Sequence, residues 1–581
     1  MVGNRDIPTP RVAGTQPPRV AKMSVLRVFQ HMRKCRFAGE GKPLPSRIAR
    51  RYATSDGGPL DSRRVLTSDT AMPDIPAYSN YAEAMLAMCE HHGDSDAFVD
   101  ADTGRALTFR DVRDLTLNLA ARLRADGFRP GDVLAVVAPN EIEFVAPLLA
   151  APSLGGALTA VNPSLTPGDY KYQIETSGAT YAMSHPASHS RLMEALHGNT
   201  AIRKMYSFGD VDGCMPLSAL SSPDDDFKMA FVDVADAVAA LPFSSGTTGR
   251  PKAVMLTHRN LLSNVYQCTH PDYLHLTRDH HCLSILPNFH AYGFIVILRT
   301  LFTGATTVTS AKFDPTKYLE TIKRRKINYL YTVPPIINLL AKHPAVSNYD
   351  LSSVETILSG AAALGVELSK QLMERVPSVK CLQQGWGMTE LSPVGLATSP
   401  VRYKMGTVGK VVPGTEIVVV SPETGQALPA HEPGELWLRG PQVMKGYLNN
   451  DVATRETINA DGWLRSGDVG YYDDDNVFVI SDRMKELIKV KGYQVAPAEL
   501  ESVISGHPGV ADVAVIGIPD ERSGELPKAF VVKKVDSLTA DDIINFTNEK
   551  VAHFKQLKGG VEFLTEIPKS ESGKILRRLL R

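Results

Sequence analysis

The chain lacks the marks of several function classes. Its six cysteines, Cys35, Cys89, Cys214, Cys268, Cys282 and Cys381, are scattered and no C-x-x-C pair occurs. Neither a zinc site nor a disulfide framework is therefore suggested, and the reading is of a reducing compartment. Net charge is also missing. Sixty-three basic residues balance sixty-three acidic ones, so no overall field favours nucleic acid or an anionic membrane. Long apolar runs are absent: stretches such as 144–158 contain proline and glycine and fall short of a membrane span. What remains, over 581 residues, is a chain long enough for one large multilayer domain with a smaller one.

One stretch stands out against this background. Residues 241–257 read LPFSSGTTGRPKAVMLT. Ser244, Ser245, Gly246, Thr247, Thr248 and Gly249 are all small or hydroxylic, and Arg250 and Lys252 follow. Small residues let backbone N–H groups converge, and hydroxyls add donors. Such a loop suits a polyphosphate, with Lys252 as a mobile positive charge. It is not a Walker A loop, because the G-x-x-x-x-G-K-[ST] spacing is absent. A low-complexity surface linker has similar composition. Apolar segments on both sides, and Pro251 stiffening the approach of Lys252, count against that.

The first 70 residues differ from the rest. Within 1–66, eleven arginines and three lysines face four acids. Leu26, Phe29 and Met32, with Arg27, Arg33, Lys34 and Arg36 around them, fit a basic amphipathic helix. RRYATS at 50–55 resembles a mitochondrial processing site, with cleavage after Tyr52. A mitochondrial location is the expectation, with cytoplasmic as the alternative. The final residues, LRRLLR, are not the Ser-Lys-Leu peroxisomal address.

Beyond residue 75, helix and strand patterns alternate. Thr108 to Asp111 forms a capping box that opens a helix carrying Leu115, Leu119 and Leu123. Buried-type strands are expected at 133–137 and 157–161, then near 180–183, 202–208, 283–286, 329–333, 354–358 and 381–384. Three later strand ends carry PNFHAYGF, SGAAA and GWGMTE, and ligands of open α/β sheets gather at such ends. After residue 406 short strands and turns predict a β-rich subdomain. Residues 463–472, WLRSGDVGYY, read as a turn. Residues 481–485 read as a hinge, and a helix is expected from about Pro497.

Together these motifs resemble the adenylate-forming superfamily, which contains acyl- and aryl-CoA ligases, firefly-type luciferases and peptide-synthetase adenylation domains. Within it the chain looks most like 4-coumarate–CoA ligases and medium-chain acyl-CoA synthetases. The resemblance implies an α/β fold. A large multilayer adenylate-forming domain with a β-rich subdomain would span 75–480, a hinge 481–482, and a small mobile α+β domain 483–581. It implies ATP, Mg²⁺ and CoA as partners, a small carboxylic acid as substrate, and no nucleic acid. The acid is aryl or medium-chain aliphatic. Loading of a carrier-protein thiol and a luciferase-like oxidation are the alternatives.

The same resemblance assigns residues. Ser244 to Gly249 and Lys252 would grip the β- and γ-phosphates, with Thr389 near the α-phosphate and Glu390 holding Mg²⁺. Gln384, Gly385 and Trp386 would form the adenine side, where the family usually has Tyr in place of Trp386. Asp468 and Arg483 would hold the ribose, and Gln494 would lie near the nucleotide phosphate. Lys574 would reach the acyl carboxylate during adenylation. Lys489, Lys491 and Gly492 would face the site when CoA reacts, with Asp482 as pivot. His290, Tyr292, Gly360, Ala361, Gly385 and Met388 would border the acyl group.

Overall fold

Strands Val133–Val137 and Ala157–Val161 are buried at every position, as runs covered on both faces must be. They pair in parallel at the centre of the first sheet. The computed structural model describes residues 61, 64–221, 227–244, 250–400, 403–491, 493–570 and 573–581. The expected basic N-terminal helix and processing site lie outside these residues, as does the acidic run Asp224 to Asp226, which the sequence suggests is a solvated connector.

The first sheet runs Phe243–Ser244, Lys252–Thr257, Val238–Ala240, Ala157–Val161, Val133–Val137, Tyr181–Ser184, Lys204–Ser207 and Met215–Pro216. The second has a parallel centre: Cys381–Gly387, Thr356–Ser359, Tyr329–Thr332, His281–Ser284, Thr306–Thr309 and Asp96–Asp100. Between the strands lie helices whose starts are fixed by side-chain caps. Reciprocal capping boxes join Thr108 to Asp111, Thr166 to Asp169 and Thr257 to Asn260.

A five-stranded antiparallel sheet follows, including Glu416–Val420, Gly434–Arg439, Leu464–Tyr472 and Phe478–Arg483. Its core packs Ile417, Leu436, Leu438, Leu464 and Phe478 against Trp386 and Leu396 of the second sheet. The stretch read as a turn at 463–472 is thus mostly strand. Gly467, at φ +70°, supplies the local bend.

The last sheet pairs Tyr493–Val495, Ile488–Val490, Gly524–Lys533 and Val510–Asp520, with Val561–Leu564 alongside. Helices Pro497–Ser505 and Ala540–Asn548 close a core of Val495, Leu500, Ile504, Val515, Val531 and Ile543. This unit docks on helix Pro334–Lys342. Lys342 Nζ donates to the Ser505 carbonyl at 2.9 Å, and Asn338 Nδ2 to the Ala511 carbonyl at 3.0 Å. That helix opens where the sequence suggested only a strand end, since prolines fit its first positions. No helix among the described residues is long and apolar enough to cross a membrane.

Candidate active site

The phosphate end is organised by strand Lys252–Thr257, which pairs with Phe243–Ser244 on one side and Gly446–Tyr447 on the other. Ser244 lies opposite Lys252 in register. Ser245, Gly246, Thr247, Thr248 and Gly249 fall outside the described residues. Lys252 Nζ sits 5.0 Å from the centroid of the Tyr447 ring. The Tyr447 hydroxyl donates to Glu390 Oε1 at 2.8 Å. Glu390, 2% exposed, is carried by the short turn Thr389–Leu391 directly after the strand that ends at Gly387. One tyrosine therefore links the phosphate lysine to the carboxylate suited to a metal. The sequence reading missed Tyr447, because a tyrosine in a Gly-Tyr-Leu context carries no distinctive local signal.

Where the ribose is expected, Asp468 and Arg483 are cross-strand partners on antiparallel strands. Arg483 Nε lies 3.2 Å from Asp468 Oδ1, yet that oxygen is buried and accepts no aligned hydrogen bond from the protein. The other oxygen, Oδ2, accepts from Trp386 Nε1 at 2.8 Å. A buried carboxylate oxygen left open beside a guanidinium suits a sugar hydroxyl, which can donate to one and accept from the other. Trp386 was expected to wall the adenine. Its indole is 8% exposed and packs with Leu391, Leu396 and Val408, so its evident contact is with Asp468.

The acyl end is built around His290, which caps helix Ala291–Thr303. His290 Nδ1 accepts the Tyr292 backbone N–H at 3.3 Å, placing the ring proton on Nε2. Burial, then the neighbouring Lys574 charge, push the His290 pKa down to about 4, so the ring is neutral at pH 7. The Tyr292 hydroxyl donates to the Leu358 carbonyl at 3.3 Å. Its ring lies against Gly360, where an added Cβ would come within 2.8 Å. Ala361 follows in the left-handed region, at φ +67°. At Gly385 an added Cβ would meet its first neighbours, Leu358 and Leu396, only at 4.0 Å. Gln384 is occupied in structure: its Oε1 accepts from the Leu364 N–H at 3.3 Å, tying the 360–364 turn to the next strand. Met388 leans on the Trp386 cluster.

Lys574 joins the two ends. Its backbone N–H donates to Ser570 Oγ at 3.1 Å, and its carbonyl accepts from the Ser570 N–H at 2.8 Å. Burial first, then Arg483 and Lys485, lower its pKa to about 8. Gly573, at φ +79°, lets the backbone pass close to Val333 and Pro335, 3.0–3.2 Å from where a Cβ would stand. Three residues on, Arg577 anchors the segment, pairing with Glu501 at 2.7 Å and donating to the Val515 carbonyl at 3.1 Å. The Asp482 carboxylate accepts from the N–H groups of Arg483 and Ala498, the latter at the start of helix Pro497–Ser505.

Lys489, Lys491 and Gln494 are elsewhere. They are exposed on the hairpin of Ile488–Val490 and Tyr493–Val495, where Lys489 faces Gln494 across the ladder. Gly492 lies outside the described residues. Gln494, expected near the nucleotide, is therefore paired with Lys489 rather than gathered with Asp468 or Lys252. A separate cleft of about 420 Å³, lined by Lys342, Arg375, His507 and Lys534, shares none of the site residues.

Comparison with known proteins shows the family. The family described as AMP-binding enzyme matches residues 87–448, and the AMP-binding enzyme C-terminal domain matches 499–574. A 4-coumarate–CoA ligase of Oryza sativa subsp. japonica is 40% identical over 524 residues, covering 88% of this chain and 95% of the relative. Another, from Narcissus pseudonarcissus, is 43% identical over 563 residues, covering 92% and 98%. Among solved structures, an anthranilate CoA ligase in complex with anthranoyl-AMP superimposes with TM-score 0.79 at 26% identity, covering 87% and 97%. ATP-bound MatB from Rhodopseudomonas palustris gives TM-score 0.77 at 27% identity, covering 86% and 98%. The chain belongs to the AMP-binding enzyme family, as an AMP-forming acid–thiol ligase of the ATP-dependent acyl- and aryl-CoA ligase group.

Proposed function

We propose that this ligase activates a flat aryl carboxylic acid as its acyl adenylate and transfers the acyl group to CoA. A carboxylate is a poor electrophile. Its attack on the α-phosphorus expels pyrophosphate and gives an acyl carbon with AMP as leaving group. The CoA thiol then attacks that carbon and AMP departs. Lys574 carries the reading: its charge acts on His290, and Arg483 and Asp468 act on its ammonium, so it would stand where charge develops in the first step. Neutral His290 adds no competing cation there. Asp468 and Arg483 orient the ribose, and Lys252 meets the outgoing phosphates.

Glu390 is the residue that would hold Mg²⁺, which commonly takes one or two carboxylates plus substrate phosphates. Bound there, the ion would neutralise phosphate charge. Among the described residues no cluster of three His, Cys, Asp or Glu side chains forms a metal site of its own, which fits an ion shared with the nucleotide.

The aryl preference rests on the Tyr292 ring against Gly360, the open face of Gly385, and relatives named as 4-coumarate–CoA ligases. The test is a panel of cinnamates, benzoates and straight-chain acids with ATP, Mg²⁺ and CoA, reading AMP and acyl-CoA. A kcat/KM for a cinnamate at least ~10-fold above octanoate is expected, the scale of pocket-shape discrimination. Equal or better use of octanoate overturns the aryl reading.

A further inference from the structure

Arg299 lies on helix Ala291–Thr303, seven residues beyond Tyr292 and 1% exposed. Seven residues are two helical turns, so both side chains share a face and their origins lie ~10 Å apart. The Arg299 guanidinium covers the Tyr331 ring at 5.4 Å, and Nη2 donates to the Leu274 carbonyl at 2.5 Å. Its Nε is buried with no partner. No carboxylate among the described residues pairs with it. Burial opposes its charge, and the groups acting most strongly on it are then Tyr331, Tyr329 and Cys268, with a hydrogen bond to Tyr329. Nearby His275 and His280 supply no anion, and burial pushes both toward the neutral form.

This guanidinium is continuous with the acyl wall. Tyr331 is the register partner of Leu358, whose carbonyl accepts from Tyr292 and whose own next partner is Gln383. A cation taken out of water without a counter-charge is strongly unfavourable, and the Leu274 carbonyl, the Tyr329 hydroxyl and the Tyr331 ring are neutral partners that supply none. Removing an uncompensated buried charge relieves its desolvation cost, so packing alone does not call for an arginine here. An acid whose reacting carboxylate meets Lys574 and whose body passes Tyr292 along the helix would bring its far end toward Arg299.

We propose that the acyl site takes aryl acids bearing a second carboxylate at the far end, and that Arg299 is the specificity-determining residue that recognises it. The inference rests on the aryl-acid ligase reading. It adds an anionic substituent to the substrate class.

The test compares three cinnamates that differ only at the para position: carboxylate, hydroxyl and methyl. Each is given to the full-length enzyme and to Arg299→Met and Arg299→Lys, with AMP and acyl-CoA measured. Wild type is expected to use the carboxylate at least tenfold better, by kcat/KM, than the methyl compound. Arg299→Met should abolish or invert that ratio, and Arg299→Lys should restore part of it. Arg299→Met should also keep or raise the melting temperature of the ligand-free protein, and lose the thermal shift given by the para-carboxylate with ATP. Wild-type preference for methyl or hydroxyl overturns the inference without any variant. So does a ratio that persists in Arg299→Met, or a large fall in its melting temperature, which would make Arg299 a structural clamp. If the methyl compound is turned over and the carboxylate is not, only this inference fails. If none of the three yields AMP, the aryl-acid reading fails with it.

Discussion

The indole N–H of Trp386 donates to Oδ2 of Asp468 at 2.8 Å, across two different sheets. The indole thereby fixes the carboxylate, leaving Oδ1 toward Arg483. Trp386→Phe keeps most of the packing and removes this donor. Leaving one buried carboxylate oxygen unpaired costs about 1–3 kcal/mol. The KM for ATP should rise by roughly 5- to 100-fold on that scale, with the KM for the acid little changed. Initial rates over an ATP series decide it, and an unchanged ATP KM removes Trp386 from this role.

Lys574 sets a pH limit on the first half-reaction. Burial, Arg483 and Lys485 bring its pKa down to about 8, and only the ammonium neutralises phosphate charge. The charged form is complete below that value and is lost as pH rises through it. Adenylation kcat/KM should therefore be level near neutrality and fall above about pH 8, by up to ~10-fold per unit. His290, at about 4, contributes no titration above pH 5 or so. Lys574→Arg keeps its charge to beyond ~pH 12 and should abolish the fall. Pyrophosphate-exchange profiles for both proteins are the check.

Gly385→Ala separates pocket shape from backbone need. Gly385 is not among the glycines of positive φ, and a Cβ there meets nothing closer than 4.0 Å. The fold should accept it. A methyl group on the acyl wall should raise KM for ring-bearing acids, by about one to two decades, while short acids and ATP are spared; overpacking of ~1–3 kcal/mol sets that scale. Uniform loss across acids with weaker ATP binding takes Gly385 off the wall.

Lys342 holds the docked arrangement through the Ser505 and Val510 carbonyls, at 2.9 and 3.4 Å. Lys342→Ala should slow adenylation by about tenfold, since a charged hydrogen bond contributes ~1.5–3 kcal/mol. Transfer from preformed acyl adenylate should hold or quicken, because a ligand-independent bias toward one arrangement is removed. Equal slowing of both steps shows a purely structural role.

Much of this was legible in the sequence for definite reasons. Val133–Val137 and Ala157–Val161 matched their expected bounds because fully buried parallel strands are unbroken apolar runs. The helix after Thr108 was signalled by its capping box. Strands Val510–Asp520 and Gly524–Lys533 run past the expected 510–516 and 529–533, with Pro519 and Pro527 inside the paired ladder, where proline is a poor strand signal. Helix Ala291–Thr303 was not read because Gly293 sits in its first turn and the apolar run that follows, with Ile295, Val296 and Ile297, has no clean helical period. The Lys252–Tyr447–Glu390 link joins residues far apart in sequence, and no local pattern reports such a contact. The Trp386 hydrogen bond was invisible for the same reason.

The account turns on which half-reaction this arrangement serves, with Lys574 inside the site and Lys489 exposed on the opposite hairpin. The direct measurement is rapid-quench kinetics of the two steps separately, for wild type, Lys574→Ala and Lys489→Ala. Removing a cation from a developing charge costs about 3–4 kcal/mol, so Lys574→Ala should lose roughly 100- to 1000-fold in acyl-adenylate formation. It should still transfer preformed adenylate to CoA at close to the wild-type rate. Lys489→Ala should do the reverse, accumulating adenylate and losing thioester. Equal losses in both steps for Lys574→Ala, or normal adenylation without it, would contradict the account.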